Sequence, residues 1–259
     1  MSPSLGTGGE AEDAPPLSPL ARAPGSLCAA IRREEPDPYQ TLLSALLPPG
    51  VRTAEEFGDP EGGSLFPEEE AWIAKAVEKR RREFTTARMC ARRALAALGC
   101  PAVPLVPGRR GAPAWPAGFV GSMTHCAGYR AAAVACRGDV VSLGVDAEPH
   151  EPVPEGIVAM VALPEEQRML ADLARHDSTV HWDRLLFSAK ESVYKTWFPL
   201  VGSWLGFDDA AIEIDPDGGV LRARLLLEGR DREGRQLREL HGRWRVGRGL
   251  ILTAVVHRL

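Results

Sequence analysis

Leu143-Gly144-Val145-Asp146-Ala147-Glu148 is the stretch on which the fold class turns. Read as an extended strand, it puts Gly144, Asp146 and Glu148 on one face and Leu143, Val145 and Ala147 on the other, because side chains alternate with a period of two. The apolar alternation predicts that the acidic face is exposed. About forty residues on, Phe187-Ser188-Ala189-Lys190-Glu191-Ser192-Val193-Tyr194-Lys195 lies inside an amphipathic pattern from His181 to Phe198, which reads as a long helix.

Upstream, Tyr129 to Cys136 reads as a second strand, joined to Val140–Glu148 by Arg137-Gly138-Asp139 as a hairpin. Prolines 101, 104, 107, 113 and 116 make the stretch before it a loop. Pro67 to Leu98 is mostly helical, opening on Pro67 with Glu68, Glu69 and Glu70 in its first turn and stopped by Gly99. Downstream, Pro164-Glu165-Glu166 opens a helix to about Arg175. Strands follow at 212–214, 220–227, 242–246 and 250–256, separated by glycine-rich turns. Helices with a few antiparallel strands on either side of residues 137–142 make an α+β chain in two halves, 27–138 and 139–259. Residues 1–26 hold 13 Gly, Pro or Ser and read as a disordered tail.

Composition narrows the function classes. The 259 residues are 44% hydrophobic and 25% charged, with a net charge of -4 and therefore no global field for a nucleic-acid or membrane partner. No apolar run approaches the ~18–20 residues of a membrane span, and no secretory leader pattern opens the chain. Five cysteines (28, 90, 100, 126 and 136) without a CxxC pair argue against a disulfide framework or structural zinc and suit a reducing cytosol.

Three segments carry the chemistry. Two carboxylates on one strand face repel unless a cation lies between them, and magnesium takes one or two carboxylates plus substrate phosphates; a solvated acidic face is the other reading of Asp146 and Glu148. On the helix, Glu191 and Lys195 are i,i+4 neighbours with Lys190 beside them, a base between two phosphate-binding ammoniums or a surface ion pair. Between Lys75 and Arg93 eight bases face two acids, a local balance of +6 in which Arg80, Phe84 and Arg88 share one side. Guanidinium forks match phosphate oxygens, whereas single-strand nucleic-acid binding would interleave more aromatics. A fourth segment, Gly121-Ser122-Met123-Thr124-His125-Cys126, is expected just before a strand. There its backbone and hydroxyls could receive a phosphate, with His125 hydrogen-bonding it.

In this order the motifs resemble those of the 4'-phosphopantetheinyl transferases of the surfactin/enterobactin-synthetase type. Gly144-Val145-Asp146-Ala147-Glu148 and Phe187 to Lys195 stand where that family has its two signatures. Arg81-Arg82-Glu83-Phe84, Arg88, Cys90-Ala91-Arg92, Gly121 to Arg130 and Trp204-Leu205-Gly206-Phe207 are similar to the enterobactin-component-D branch, nearest its actinobacterial members. Two departures are Phe187 at the head of the second motif and Pro107 where some relatives offer a lysine, a contact that Arg110 would supply. The resemblance implies two similar α+β halves about a pseudo-twofold with coenzyme A in the cleft between them. It implies Mg2+-dependent transfer of the phosphopantetheine arm to a serine hydroxyl of an acyl or peptidyl carrier protein, releasing adenosine 3',5'-bisphosphate. Asp146 and Glu148, with the Ala147 carbonyl, would hold magnesium. Arg80, Arg88, Arg110, Ser122, Thr124 and His125 would bind the coenzyme, Lys190 and Lys195 its pyrophosphate, and Leu205 would line the pantetheine groove. Glu191 would be general base or metal ligand. Two linked halves make a monomer sufficient, in the cytoplasm. A non-catalytic binder of coenzyme A or of a carrier is the competing reading; an acyltransferase would not need the magnesium pair.

Overall fold

The computed structural model describes residues 41–231 and 233–258; the stretch read as a tail lies outside them. Three strands form a first antiparallel sheet in the order β1 (Arg52–Phe57), β3 (Tyr129–Cys136), β2 (Phe119–Cys126). Five form a second, β4 (Ser142–Pro149), β8 (Leu250–His257), β7 (Gln236–Gly247), β6 (Val220–Arg230), β5 (Ala210–Asp215). The hairpin expected across residues 137–139 does not form. β3 pairs with β1 and β2, β4 pairs with β8, and the chain passes from one sheet to the other at that turn. The turn residues gave the bend, but β3 carries β1 on one edge and β2 on the other, so no edge of it is left for β4.

β3 is the central strand of the first sheet, and its run of alanines is buried throughout. One face meets α2 (Glu78–Ala96) through Ala132 and Val134 against Cys90, Ala91, Ala94 and Leu95. The other face joins Val145, Ala147, Leu252 and Ala254 of the second sheet in a shared core. On the outer face of the second sheet lie α4 (Pro164–His176) and α5 (Trp182–Val201), which bury Leu185, Leu186, Val193 and Trp197 against β5–β8. Each sheet is therefore covered by one long helix, and the mixed helix-and-sheet class is as expected. Two short helices complete the set, α1 (Pro67–Ile73) and α3 (Ile157–Val161). The stretch read as one helix from Pro67 breaks at residues 74–77, so Lys75 precedes the basic helix.

Edge strands β2 and β4 lie side by side where the sheets meet. No backbone ladder joins them. Instead, Ser122 Oγ accepts the Val145 N–H at 3.1 Å and Thr124 Oγ1 accepts the Ala147 N–H at 3.0 Å. These side chains satisfy donors that a buried sheet edge would otherwise leave orphaned.

Candidate active site

Gly144 sets the geometry of the site. A Cβ on it would stand 2.1 Å from the Ser192 carbonyl oxygen and 2.7 Å from Thr196 Oγ1, so the glycine admits α5 itself rather than a ligand. Helix and strand meet through small polar residues: Ser142 donates to the Thr196 carbonyl, and Ser188, Ser192 and Thr196 form an i,i+4 row facing the sheet. The acidic face of β4 is therefore covered, and Asp146 is only 4% exposed. That overturns the solvated-face expectation, because the period of two says which residues share a face and not what covers it.

Asp146 is held on both oxygens. Ser188 donates to Oδ2 at 2.8 Å; Lys195 Nζ donates to Oδ1 at 2.7 Å, with Thr124 Oγ1 at 3.3 Å. Glu148, two residues on, takes Arg184 Nη1 at 3.0 Å, and the same guanidinium donates to the carbonyls of Glu151 and Pro152. Burial and the Asp146 charge raise the Glu148 carboxyl, against the pull of Arg184 and Lys195. Burial, then the neighbouring Glu148 and Asp146, push the Cys126 thiol beside them up to about 12. Ala147 turns its side chain into the shared core.

Next to this pair opens a cavity of about 700 Å³ between the two halves. From the first half come Arg80, Phe84 and Arg88, spaced four apart on α2, then Arg109 and Arg110 from the loop after it, Trp115, and Gly121, Met123 and His125 of β2. From the second half come Glu191, Tyr194, Lys195 and Phe198 of α5. Arginine guanidiniums and one ammonium thus face a single carboxylate, Glu191, a field suited to a polyphosphate. Burial raises the Glu191 carboxyl, Lys195 pulls it back and Asp146 adds to the rise.

The basic wall is braced from behind. Arg80 Nη1 lies 2.7 Å from His125 Nε2; since arginine can only donate, the ring carries its proton on Nδ1, the nitrogen facing Glu83 at 3.8 Å. Burial, then the Arg80 charge, lowers the His125 pKa. Arg88 stacks 3.1 Å over Phe84, donates to the Leu105 carbonyl at 2.9 Å and lies 3.8 Å from Glu69. Burial lowers it from the ordinary arginine value while Glu69 opposes the shift, and a phosphate in the cavity would oppose it further through its negative charge. Arg110 adopts a left-handed conformation (φ 54°) and lies 5.1 Å from the Trp204 ring across the cleft.

Several expected site residues are used differently. Ser122 and Thr124 belong to a strand themselves, not to the segment before one, and their hydroxyls are engaged on β4. Leu205 packs in the core of the second half. Lys190 points away from the cavity: its ammonium pairs with Glu166 at 2.7 Å and donates to the carbonyls of Phe207 and Ala210. Its counterpart in the first half explains why. Phe66-Pro67-Glu68-Glu69 and Leu163-Pro164-Glu165-Glu166 open α1 and α4 alike, and each third-position glutamate caps its helix start. Each is almost wholly buried and takes a base from the long helix, Arg92 at 2.9 Å or Lys190, and a distant backbone N–H, Leu105 or Ile212, at 2.7 Å. The repeat is one of contacts, invisible as sequence similarity except in its Pro-Glu-Glu. Sequence reasoning missed Arg109, Trp115, Tyr194 and Arg184, the last being the only one with a signal, since its cation stands one helical turn before Ser188.

The 4'-phosphopantetheinyl transferase N-terminal domain family matches residues 68–135, and the 4'-phosphopantetheinyl transferase superfamily matches residues 142–249. The chain is 55% identical over 217 residues to the 4'-phosphopantetheinyl transferase Svp of Streptomyces mobaraensis, covering 83% of this chain and 88% of that protein. It is 48% identical over 225 residues to PptT of Mycobacterium tuberculosis, covering 83% and 98%. Enterobactin synthase component D of Salmonella typhi is more distant, 36% identical over 143 residues, or 54% and 57%. Matched in both halves and over most of the length of these transferases, the chain belongs to the 4'-phosphopantetheinyl transferase superfamily, whose reaction carries the phosphopantetheine arm of coenzyme A onto a carrier protein.

Proposed function

We propose that this transferase works with Mg2+ held by Asp146 and Glu148, and that its acceptors are the serines of acyl and peptidyl carrier domains of polyketide, nonribosomal-peptide or fatty-acid synthesis. The observation that carries the reading is the cation-lined cavity whose Lys195 reaches buried Asp146, with the half-buried Glu148 two residues on. Among the described residues no three His, Cys, Asp or Glu side chains group as a closed metal site. Two hard oxygen donors fit magnesium all the same, because it completes its shell with water and substrate phosphate. When bound, the ion would neutralise charge on the coenzyme A pyrophosphate.

The chain's own residues do the rest. Arg80, Arg88 and Arg110 bind and orient the phosphates, and Lys195, bridging Asp146 and the cavity, steadies the charge that develops on the departing bisphosphate. The Glu191 carboxylate has no hydrogen-bond partner among the described residues, and its raised pKa makes it a better acceptor for the serine proton than an ordinary carboxylate. Metal ligation is its alternative role. The attacking hydroxyl comes from the carrier, so no nucleophile is required of this chain. Among the described residues four cysteines are free, which suits a reducing cytoplasm, and no helix is long and apolar enough to cross a membrane.

The test is the intact mass of apo carrier proteins after incubation with enzyme, coenzyme A and Mg2+, with and without chelator. A gain of one phosphopantetheine that chelator abolishes is expected. A gain that survives chelator would remove the magnesium assignment, and no gain on any carrier class with coenzyme A still bound would favour a non-catalytic binder. In Glu191→Gln, turnover should fall by about 10²–10⁴-fold with coenzyme A affinity kept.

A further inference from the structure

Behind Asp146, on the side away from the cavity, lies a group of hydroxyls that the reaction does not touch. Thr253 of β8 is the direct cross-strand partner of Asp146, so both side chains point toward α5. Ser188 and Ser192 stand one turn apart on that helix and face them. All three hydroxyl residues are wholly buried.

Counting protons gives the group a direction. Ser188 spends its single proton on Asp146 Oδ2 at 2.8 Å. At the 2.9 Å contact between Ser188 Oγ and Thr253 Oγ1 only Thr253 has a proton to give, and that proton is shared with the Ser188 carbonyl at 3.0 Å. With that proton committed, the 2.7 Å contact between Thr253 and Ser192 takes its proton from Ser192. Each contact between the hydroxyls thus runs in one sense, toward Asp146, while Thr253 and Ser192 also share their protons with main-chain carbonyls. Successive hydrogen bonds of one sense polarise each other, and in a dry interior the effect is not screened by water.

We propose that Ser192, Thr253 and Ser188 are positioning residues: a directed hydrogen-bond chain that pins Asp146 Oδ2 and fixes the carboxylate so that Oδ1, beside Lys195, is the oxygen presented to a divalent cation. The proposal rests on the reading of Asp146 as a metal ligand. Groups that orient a ligand from behind change metal affinity by about 10–100-fold when removed, and Thr253 is one bond further out.

Thr253→Val is the informative variant. It keeps the shape, and it leaves no orphan donor because Ser192 retains the main-chain carbonyl at position 253, now 3.2 Å away. Mn2+ binding to the full chain with coenzyme A present, followed by electron paramagnetic resonance, should weaken about 3- to 10-fold in Thr253→Val and more in Ser188→Ala. Thr253→Ser should restore the parent value. The dissociation constant of coenzyme A measured in chelator should stay within about two-fold, a separation that a general loosening of the site would not give. Parent-like Mn2+ binding in Thr253→Val, or failure of Thr253→Ser to restore it, overturns the chain. Should Thr253→Val not fold, Ser192→Ala is read the same way, with a smaller loss expected and none counting against the chain. Asp146→Asn separates the two levels: if it binds Mn2+ like the parent, the metal reading itself falls, whereas loss there with parent-like Thr253→Val defeats only the positioning role.

Discussion

Lys190 and Lys195 share one helix and end in opposite surroundings, one in a dry ion pair with Glu166 and the other at the cavity wall on Asp146. Their roles separate by experiment. Lys190→Ala leaves a buried carboxylate uncompensated and should cost about 3–5 kcal/mol in urea unfolding with coenzyme A affinity intact. Weakened coenzyme binding at unchanged stability would return Lys190 to the cavity. His125 offers a second test at this scale. Its pKa lies below the ordinary 6.5 because of burial and Arg80, so the unfolded chain binds the extra proton and the free enzyme loses stability as pH falls through about 6.5. Phosphates of coenzyme A bound in the proposed manner would raise that pKa again. Binding at pH 6.5 should therefore take up protons, seen as a buffer-dependent heat in calorimetry and lost in His125→Asn; no buffer dependence in the parent would mean that the phosphates lie elsewhere.

At the scale of elements, α5 on β4 is the contact that builds the catalytic face. Gly144→Ala places a methyl group into the Ser192 carbonyl, and neither backbone can yield without moving Asp146. A loss of about 3 kcal/mol or more, at the upper end of overpacking costs, is expected together with loss of turnover; a normal melting midpoint would refute this packing. The elements were largely legible from periodicity: β4, α4, α5, β5, β6 and β8 stand within a few residues of their expected bounds, whereas β7 begins at Gln236 rather than at 242. What failed had local causes. The break at residues 74–77 carries no proline or glycine to announce it, and β2 is not among the expected strands because its Ser and Thr suit turns as well as strands. Of the site, the residue types were readable and the directions were not. A helix brings four faces to its neighbours, and only the pairing of Glu166 with Lys190 reveals which one holds that lysine.

For the whole molecule, the junction of the sheets rests on two hydroxyls. Ser122→Ala combined with Thr124→Val strands two buried N–H groups, each worth about 1–3 kcal/mol. Amide exchange at Val145 and Ala147 should quicken selectively, and uniform exchange across both sheets would instead indicate global destabilisation. The cavity is made by this junction, since its basic wall belongs to one half and Glu191 and Lys195 to the other. No window of sequence shorter than both halves contains it, which is why the reading needed the order of the motifs rather than any one of them.

The position of β8 has a consequence for synthesis. It lies between β4 and β7, yet its residues follow those of β4 by about a hundred in the chain. A nascent polypeptide that has reached Gly249 has β4 without its hydrogen-bonding partner and Asp146 without Thr253 across from it. The ribosome thus releases the acidic motif long before the fold can seat it. Until residues 250–257 emerge, the growing chain carries an open strand edge at its most charge-sensitive point, the stage at which a chaperone would find it most readily.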